Sequence, residues 1–275
     1  MRITLCGTRG SVGRAGGKTV RYGGDTSSVA VQGRDGDLLI LDAGSGIANA
    51  HDLIGPQIRR IDILLTHLHM DHIQGLGFFR PLFNPEIETH IWGPVSTTAG
   101  LASRLGRYLS PPLFPVRLRD LHSVHLHDVH PGPLSVPGFA VSADLVIHPG
   151  PTLGYALAED GHSIAYLPDH EPVLGSPNLD EPAWLSGFSI IEGVDLLIHD
   201  AQYSDDEYRA KVGWGHSSYR QTLALAQIAR VRTLVTFHHD PEHSDQDLDR
   251  LHDQLRSEDP GLEVVAGLAG TVLEV

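Results

Sequence analysis

Cysteine is all but missing. Cys6 stands alone in 275 residues, which excludes an intramolecular disulfide and any zinc site built on several thiolates. It lies in the apolar opening segment ITLC, where it suits a small packed hydrophobe better than a nucleophile. Long apolar runs are lacking as well. No stretch approaches the roughly 20 residues that span a bilayer as a helix, and the opening MRITLCGTRGS carries no apolar signal region, so a cytoplasmic protein is expected. Basic residues are scarce: 20 Lys and Arg against 34 Asp and Glu leave a formal charge of −14. Long nucleic acids and anionic membranes are held by cations that neutralise phosphates, and this balance argues against both. Low-complexity linkers and short-period repeats are also absent, so one domain over residues 1–275 is expected.

What the chain has in abundance is histidine, 18 residues in all. The densest pattern is His67-Leu68-His69-Met70-Asp71-His72, directly after the apolar segment Ile61–Thr66 that reads as a buried strand. Three imidazoles and a carboxylate within six residues are a nitrogen and oxygen donor set for zinc or a similar divalent ion. His67 and His69, two apart in an extended chain, project to one side and can grip one ion. Asp71 and His72 follow where a helix should start and can face a second. Another cluster, His122, His125, His127 and His130 in LHSVHLHDVHPG, has no apolar strand feeding it. It reads as a solvated loop or an edge strand.

Further candidate ligands close apolar segments later in the chain: His148 ends LVIH, Asp169 ends IAYLPD, and His238 and His239 end LVTFHH. Strands are expected at Arg2–Cys6, Ser28–Gln32, Leu38–Asp42, Thr89–Trp92, Phe139–Ala143, Leu145–His148, Tyr155–Glu159, Ser163–Leu167, Asp195–His199 and Thr233–Phe237. A closing hairpin is expected from Leu262–Gly267 and Thr271–Val275. Helices are expected from about Asp71 to Phe79, over Tyr219–Arg230 behind Ser217 or Ser218 as N-cap, and along Leu248, Leu251 and Leu255. The last follows Ser244, which makes a capping box with Asp247. Strand-rich halves with interspersed helices suggest two packed sheets covered by helices outside.

The ordered set HxHxDH, then His, then Asp, then His near the end resembles the metallo-β-lactamase superfamily. The resemblance implies an α/β, four-layer αβ/βα sandwich with two mixed sheets flanked by helices. It implies two divalent ions, zinc first with manganese or iron as alternatives. His67, His69 and His148 would hold one ion; Asp71, His72 and His238 the other; Asp169 would bridge them. His238 is preferred to His239 because it comes directly off the strand. Finer features resemble the branch of ribonuclease Z and related phosphodiesterases: GTRGS, LDAGSGI (41–47), LLIHDAQY (196–203) and GWGHSS (213–218). That likeness makes His216 a phosphate-binding or proton-donating residue beside the catalytic Asp71 and Asp169. It places Asp42 and Asp200 behind the ligands as orienting groups, and Thr26 and Ser27 along the pocket. Ribonuclease Z clasps tRNA with a long arm between its third His and its Asp; here Asp169 stands 169 − 148 = 21 positions after His148, enough for a hairpin turning at Glu159-Asp160-Gly161. The expected activity is hydrolysis of a small phosphodiester or cyclic nucleotide by a hydroxide shared between the ions. Attack on a lactone, thioester or β-lactam carbonyl is the first alternative, and a non-catalytic metal-binding or sensing module the second. The expected partner is the small substrate, with a homodimer allowed.

Overall fold

Apolar, β-branched segments bounded by glycine, proline and aspartate turns form the strands. In this computed structural model, which describes residues 1–174, 179, 181–259 and 261–275, the first half supplies six of them. These are β1 (Arg2–Gly7), β2 (Ser28–Gln32), β3 (Leu38–Leu41), β4 (Arg60–Leu64), β5 (Glu88–Pro94) and β6 (Val124–Val129). Then follow β7 (Gly132–Val136), β8 (Phe139–Leu145), β9 (Leu153–Glu159), β10 (His162–Leu167), β11 (Leu196–Asp200), β12 (Thr233–Phe237), β13 (Glu263–Ala266) and β14 (Val272–Glu274).

Two seven-stranded mixed sheets result, ordered β14-β1-β2-β3-β4-β5-β6 and β13-β12-β11-β10-β9-β8-β7. In the first, β3 to β6 run parallel while β14, β1 and β2 add antiparallel. In the second, β7 to β10 are antiparallel and β10 to β13 parallel. Side chains alternate faces along each strand. Leu39 and Leu41 of β3 thus enter the core between the sheets, with Tyr155, Tyr166, Ile198 and Phe237 opposite, while Leu38 and Ile40 face outward under helices. β3 is thus apolar on both faces, as a strand covered by a second sheet on one side and helices on the other must be. A third apolar cluster seats Leu223, Leu248 and Leu255 on the outer face of the second sheet. They belong to the helices Tyr219–Ile228 and Asp245–Glu258. Helix, sheet, sheet, helix is the layer order, the metallo-β-lactamase architecture.

Both long helices begin on full capping boxes, Ser218 with Gln221 and Ser244 with Asp247, and a β9–β10 hairpin turns at Asp160-Gly161. Elsewhere the structure departs from expectation. The tail makes no hairpin: β13 joins β12 in parallel, whereas β14 crosses to the other sheet and pairs with β1. Apolar alternation identifies a strand but not its partner, and both β12 and β1 had an edge to offer. Leu145–His148 is not a strand, since β8 ends at Leu145. The Val146 N–H turns to the Thr152 carbonyl and the Ile147 N–H to the Ser186 hydroxyl, steered by the Pro149-Gly150-Pro151 turn. The helix after the first motif is one turn, Met70–Ile73, followed by a separate 3-10 turn at Leu76–Phe78. The Gly75 N–H leaves the helical ladder for the Ala43 carbonyl at 2.9 Å, and a Cβ on Gly75 would meet the Gly44 carbonyl at 2.2 Å. Residues 124–129 form the edge strand β6, one of the two readings open for the histidine-rich stretch.

Candidate metal centre

The strands that carry candidate ligands deliver them to one end of the sandwich. β4 leads into His67, His69, Asp71 and His72; the segment after β8 carries His148; Asp169 follows β10; and His238 follows β12. Asp169 lies at the middle. Its Oδ2 is 3.8 Å from His67 Nε2 and 3.6 Å from His148 Nε2, while its Oδ1 is 2.9 Å from His72 Nε2 and 3.2 Å from His238 Nε2. His69 Nδ1 lies 3.2 Å from His148 Nε2, and Asp71 Oδ2 lies 3.3 Å from His72 Nε2 and 3.2 Å from His238 Nε2. Potential donor atoms therefore fall into two groups, His67-His69-His148 and Asp71-His72-His238, with one carboxylate oxygen of Asp169 turned to each. His239, the less favoured neighbour, points away: its Nε2 donates to the Gly267 carbonyl at 2.9 Å.

The tautomers follow from what each ring's other nitrogen meets. A carboxylate or carbonyl can only accept, so His72 Nδ1–H donates to Asp42 (2.8 Å), His148 Nδ1–H to the Gly215 carbonyl (2.9 Å) and His238 Nδ1–H to Gln202 Oε1 (2.9 Å). The Thr66 hydroxyl gives its own proton to Asp42, leaving its oxygen to accept from His67 Nδ1–H at 3.1 Å. Asp42 thus orients His72 directly and His67 through Thr66, and it also accepts from the Tyr166 hydroxyl at 3.0 Å. Each of these rings presents Nε2 inward, the arrangement in which a second hydrogen bond fixes a metal-binding imidazole.

The inward atoms fit a cation. His67 Nε2 is buried without a hydrogen-bond partner among the described residues, and a stranded buried polar atom costs about 1–3 kcal/mol. Burial, reinforced by His72, drives the His67 pKa well below its ordinary value. Burial also opposes charge on His72, yet the carboxylates of Asp169, Asp71 and Asp42 outweigh it and raise that pKa well above the ordinary value. Against its own burial, Asp71 is held below the usual carboxylate range by His72 and His238. This is a site that calls for positive charge, in a donor set of imidazole and carboxylate suited to divalent ions.

Two further features frame the centre. His216 donates Nδ1–H to Asp200 Oδ2 at 2.7 Å, 3.9 Å from Asp169 Oδ2, and no described residue hydrogen-bonds its Nε2. Burial opposes its charge, but Asp200 and then Asp169 raise its pKa. Asp200 therefore steadies His216 and the backbone of His170, Gln202 and Ser217, not the imidazole of a candidate ligand as expected. The loop carrying His216 is pinned by Glu171, fully buried, which accepts from the Tyr208 hydroxyl (2.7 Å) and the Gly213 and Gly215 N–H groups (3.0 Å). Gly215 has φ +84°, and a Cβ on it would lie 2.5 Å from His148 Nδ1. His238 itself adopts φ +57°, backbone strain of the kind that gathers at functional sites.

Thr26 and Ser27, expected along the pocket, are fully buried instead. The Thr26 oxygen accepts from Ser45 N–H and Gln74 Nε2, both at 2.8 Å, and the Ser27 hydroxyl donates to the Arg9 carbonyl at 3.5 Å. They brace loops beneath the site. Sequence reasoning missed Thr66, Gln202, Gly215 and Glu171. Gln202 lay within LLIHDAQY, but nothing in the pattern gave its acceptor role.

Comparison with known proteins gives the family. Residues 38–239 match the family described as the β-lactamase superfamily domain. The chain belongs to the metallo-β-lactamase superfamily. Its relatives include ribonuclease Z of Myxococcus xanthus, 30% identical over an alignment of 282 positions that covers 87% of this chain and 89% of that protein. The metallo-β-lactamase fold protein YhfI from Bacillus subtilis superposes with a TM-score of 0.74 at 19% identity, covering 99% of both chains. A diphosphatase of the PhnP family gives 0.70 at 22% identity, covering 100% of this chain and 98% of that one. Membership implies divalent metal binding, and the chain is a metal-dependent hydrolase. Among the described residues no helix is long and apolar enough to cross a membrane.

Proposed function

We propose that the chain is a phosphodiesterase for small phosphodiesters, cyclic nucleotides included, working with two divalent ions, zinc first. His67, His69 and His148 would hold one ion, Asp71, His72 and His238 the other, and Asp169 would reach both. When bound, such a pair supplies an activated water and charge to offset that of the phosphate in the transition state. The observation that carries the phosphate reading is His216. Its Nδ1–H is committed to Asp200, which favours the charged ring and leaves Nε2 to face substrate. A protonated Nε2 donates to a phosphate oxygen or hands a proton to the leaving alkoxide. A carbonyl substrate would leave much of that charge unused.

The size of the substrate is argued from what surrounds the site. The 21-residue interval from His148 to Asp169 holds the β9–β10 hairpin, leaving no place for the tRNA-clasping arm that the likeness to ribonuclease Z would call for. The net charge of −14 adds repulsion towards a long polyanion. The test is hydrolysis of a chromogenic bis-aryl phosphate by zinc- or manganese-loaded protein, beside ester and thioester substrates. Activity should favour the phosphodiester and vanish in His67→Ala and Asp169→Ala. Turnover retained in both variants overturns the site assignment; preference for the thioester or ester overturns the phosphate reading.

A further inference from the structure

The other histidine cluster lies away from this centre, towards the opposite ends of the strands. The parallel register sets Asp62 of β4 beside His90 of β5 and His90 beside His125 of β6, with Trp92 beside His127. Asp62 is five residues before His67, about 16 Å along an extended chain, so the cluster is separate from the residues already described. We propose that Glu88, His90 and His125 form a further divalent-metal site, of zinc type, that clips the edge strand β6 to β5.

Donor atoms of these three residues all lie within 4.8 Å of one another. His90 is the centre of the arrangement. Its Nδ1 is 2.9 Å from His127 Nε2, and its Nε2 is 3.7 Å from Glu88 Oε2. In the tautomer that donates Nδ1–H to His127, the lone pair of His90 sits on Nε2, on the Glu88 side, while the His125 ring stacks against His90 with centroids 4.7 Å apart. That Nε2 is buried and has no hydrogen-bond partner among the described residues. His127 is fixed in turn by stacking on Trp92, centroids 3.9 Å apart, and the Trp92 indole N–H donates to Asp62 at 2.8 Å. This layering behind the lone pair is the support that metal-binding imidazoles characteristically have.

Charge points the same way. Asp62 is spent on a two-pronged pair with Arg60, at 2.7 and 2.9 Å, and on Trp92. Glu88 is the carboxylate left for a cation, and its 65% exposed side chain can swing inward. Two imidazoles and one carboxylate are a zinc donor set that leaves a fourth position to water. Because Glu88 and His90 come from β5 and His125 from β6, an ion here would hold the terminal strand of the first sheet.

The experiment uses the full chain, stripped by chelator and dialysed against sub-micromolar free zinc, with bound metal counted by mass spectrometry. Wild type should retain one zinc more per chain than His125→Ala and than Glu88→Gln, while kcat is equal in all three. Both substitutions fall on exposed side chains, so folding is preserved. Cobalt substitution gives a second readout: wild type should show visible ligand-field bands that His125→Ala partly loses. Equal zinc counts and identical cobalt spectra in wild type and His125→Ala overturn the proposal.

Discussion

Glu171 touches no candidate ligand, yet its removal should disturb the centre. Its side chain is fully buried, and the two carboxylate oxygens accept from the Tyr208 hydroxyl, Gly213 N–H and Gly215 N–H. Hydrogen bonds to a charged group are worth about 1.5–3 kcal/mol each, and they do not simply add. Glu171→Ala removes the acceptor of all three, of which only the Gly215 N–H is fully buried, and the expected loss is about 3 kcal/mol, the upper end for leaving a buried donor unpaired. Glu171→Gln can keep both amide bonds on its oxygen and turn its NH2 to the Tyr208 oxygen. The charge and the Gly213 bond to the second oxygen are lost, at about 1 kcal/mol. The catalytic effect follows the loop, because the Gly215 carbonyl sets the His148 ring and the next residue is His216. Loss of such outer support typically costs 10–100-fold in metal affinity. Urea unfolding followed by tryptophan fluorescence, zinc competition against a chromogenic chelator, and kcat on a phosphodiester give the three readouts. Graded losses, Ala far beyond Gln, are expected in all of them. An alanine variant within about 0.5 kcal/mol of wild type with unchanged zinc affinity would refute the reasoning.

Gly215→Ala should be worse than its size suggests. It places a methyl 2.5 Å from His148 Nδ1 at φ +84°, so about 1–3 kcal/mol of backbone strain should accompany weaker zinc binding in a chelator competition. Asp247 supplies a pH test: its carboxyl is lowered from 3.8 to about 2 by the Ser244 hydroxyl and backbone. A depressed carboxylate stabilises above its unfolded-state value and stops doing so as pH falls through the folded one. The stability gap between wild type and Asp247→Asn should thus be constant above about pH 4 and close towards pH 2, as read by urea titrations at stepped pH. Cys6 is buried, which pushes its thiol up to about 12. A thiol reagent at pH 8 should label it only at the rate of unfolding; prompt labelling of the native protein would contradict the burial.

The sequence was most readable where one short segment carried both the donors and their spacing. His67, His69, Asp71 and His72 need only an extended stretch followed by one helical turn, and local periodicity reports both. His148, Asp169 and His238 were visible as polar ends of apolar segments. Their convergence depends on strand order, which apolar alternation does not encode. The same blindness produced the false closing hairpin, because Glu263–Ala266 and Val272–Glu274 read as adjacent strands while their partners lie in different sheets. Thr26 and Ser27 failed for another reason: a motif position says nothing about which way a hydroxyl turns, and theirs turn into loop contacts. His125 and His127 looked like solvated polar residues because the strand pairing that gathers them around His90 is non-local.

Strand direction explains why one end of the sandwich collects the chemistry. β3 and β4 are parallel neighbours in the first sheet, so Asp42 and the HxHxDH segment leave at the same end. In the second sheet β10, β11 and β12 are parallel, and β8, antiparallel to β9 as β9 is to β10, shares their direction. His148, Asp169, Asp200 and His238 therefore also leave together, at the carboxyl ends where open sheets present ligands. The two sheets need only pack with these ends adjacent for Asp169 to lie between His67 and His72 of one and His148 and His238 of the other. The Asp169 carboxylate thus lies against histidines delivered by both sheets. Divalent metal should accordingly raise the unfolding temperature of wild type far more than that of Asp169→Ala, a calorimetric difference independent of any substrate. Equal metal-induced shifts in the two proteins would show that the sheets hold together at this end without it.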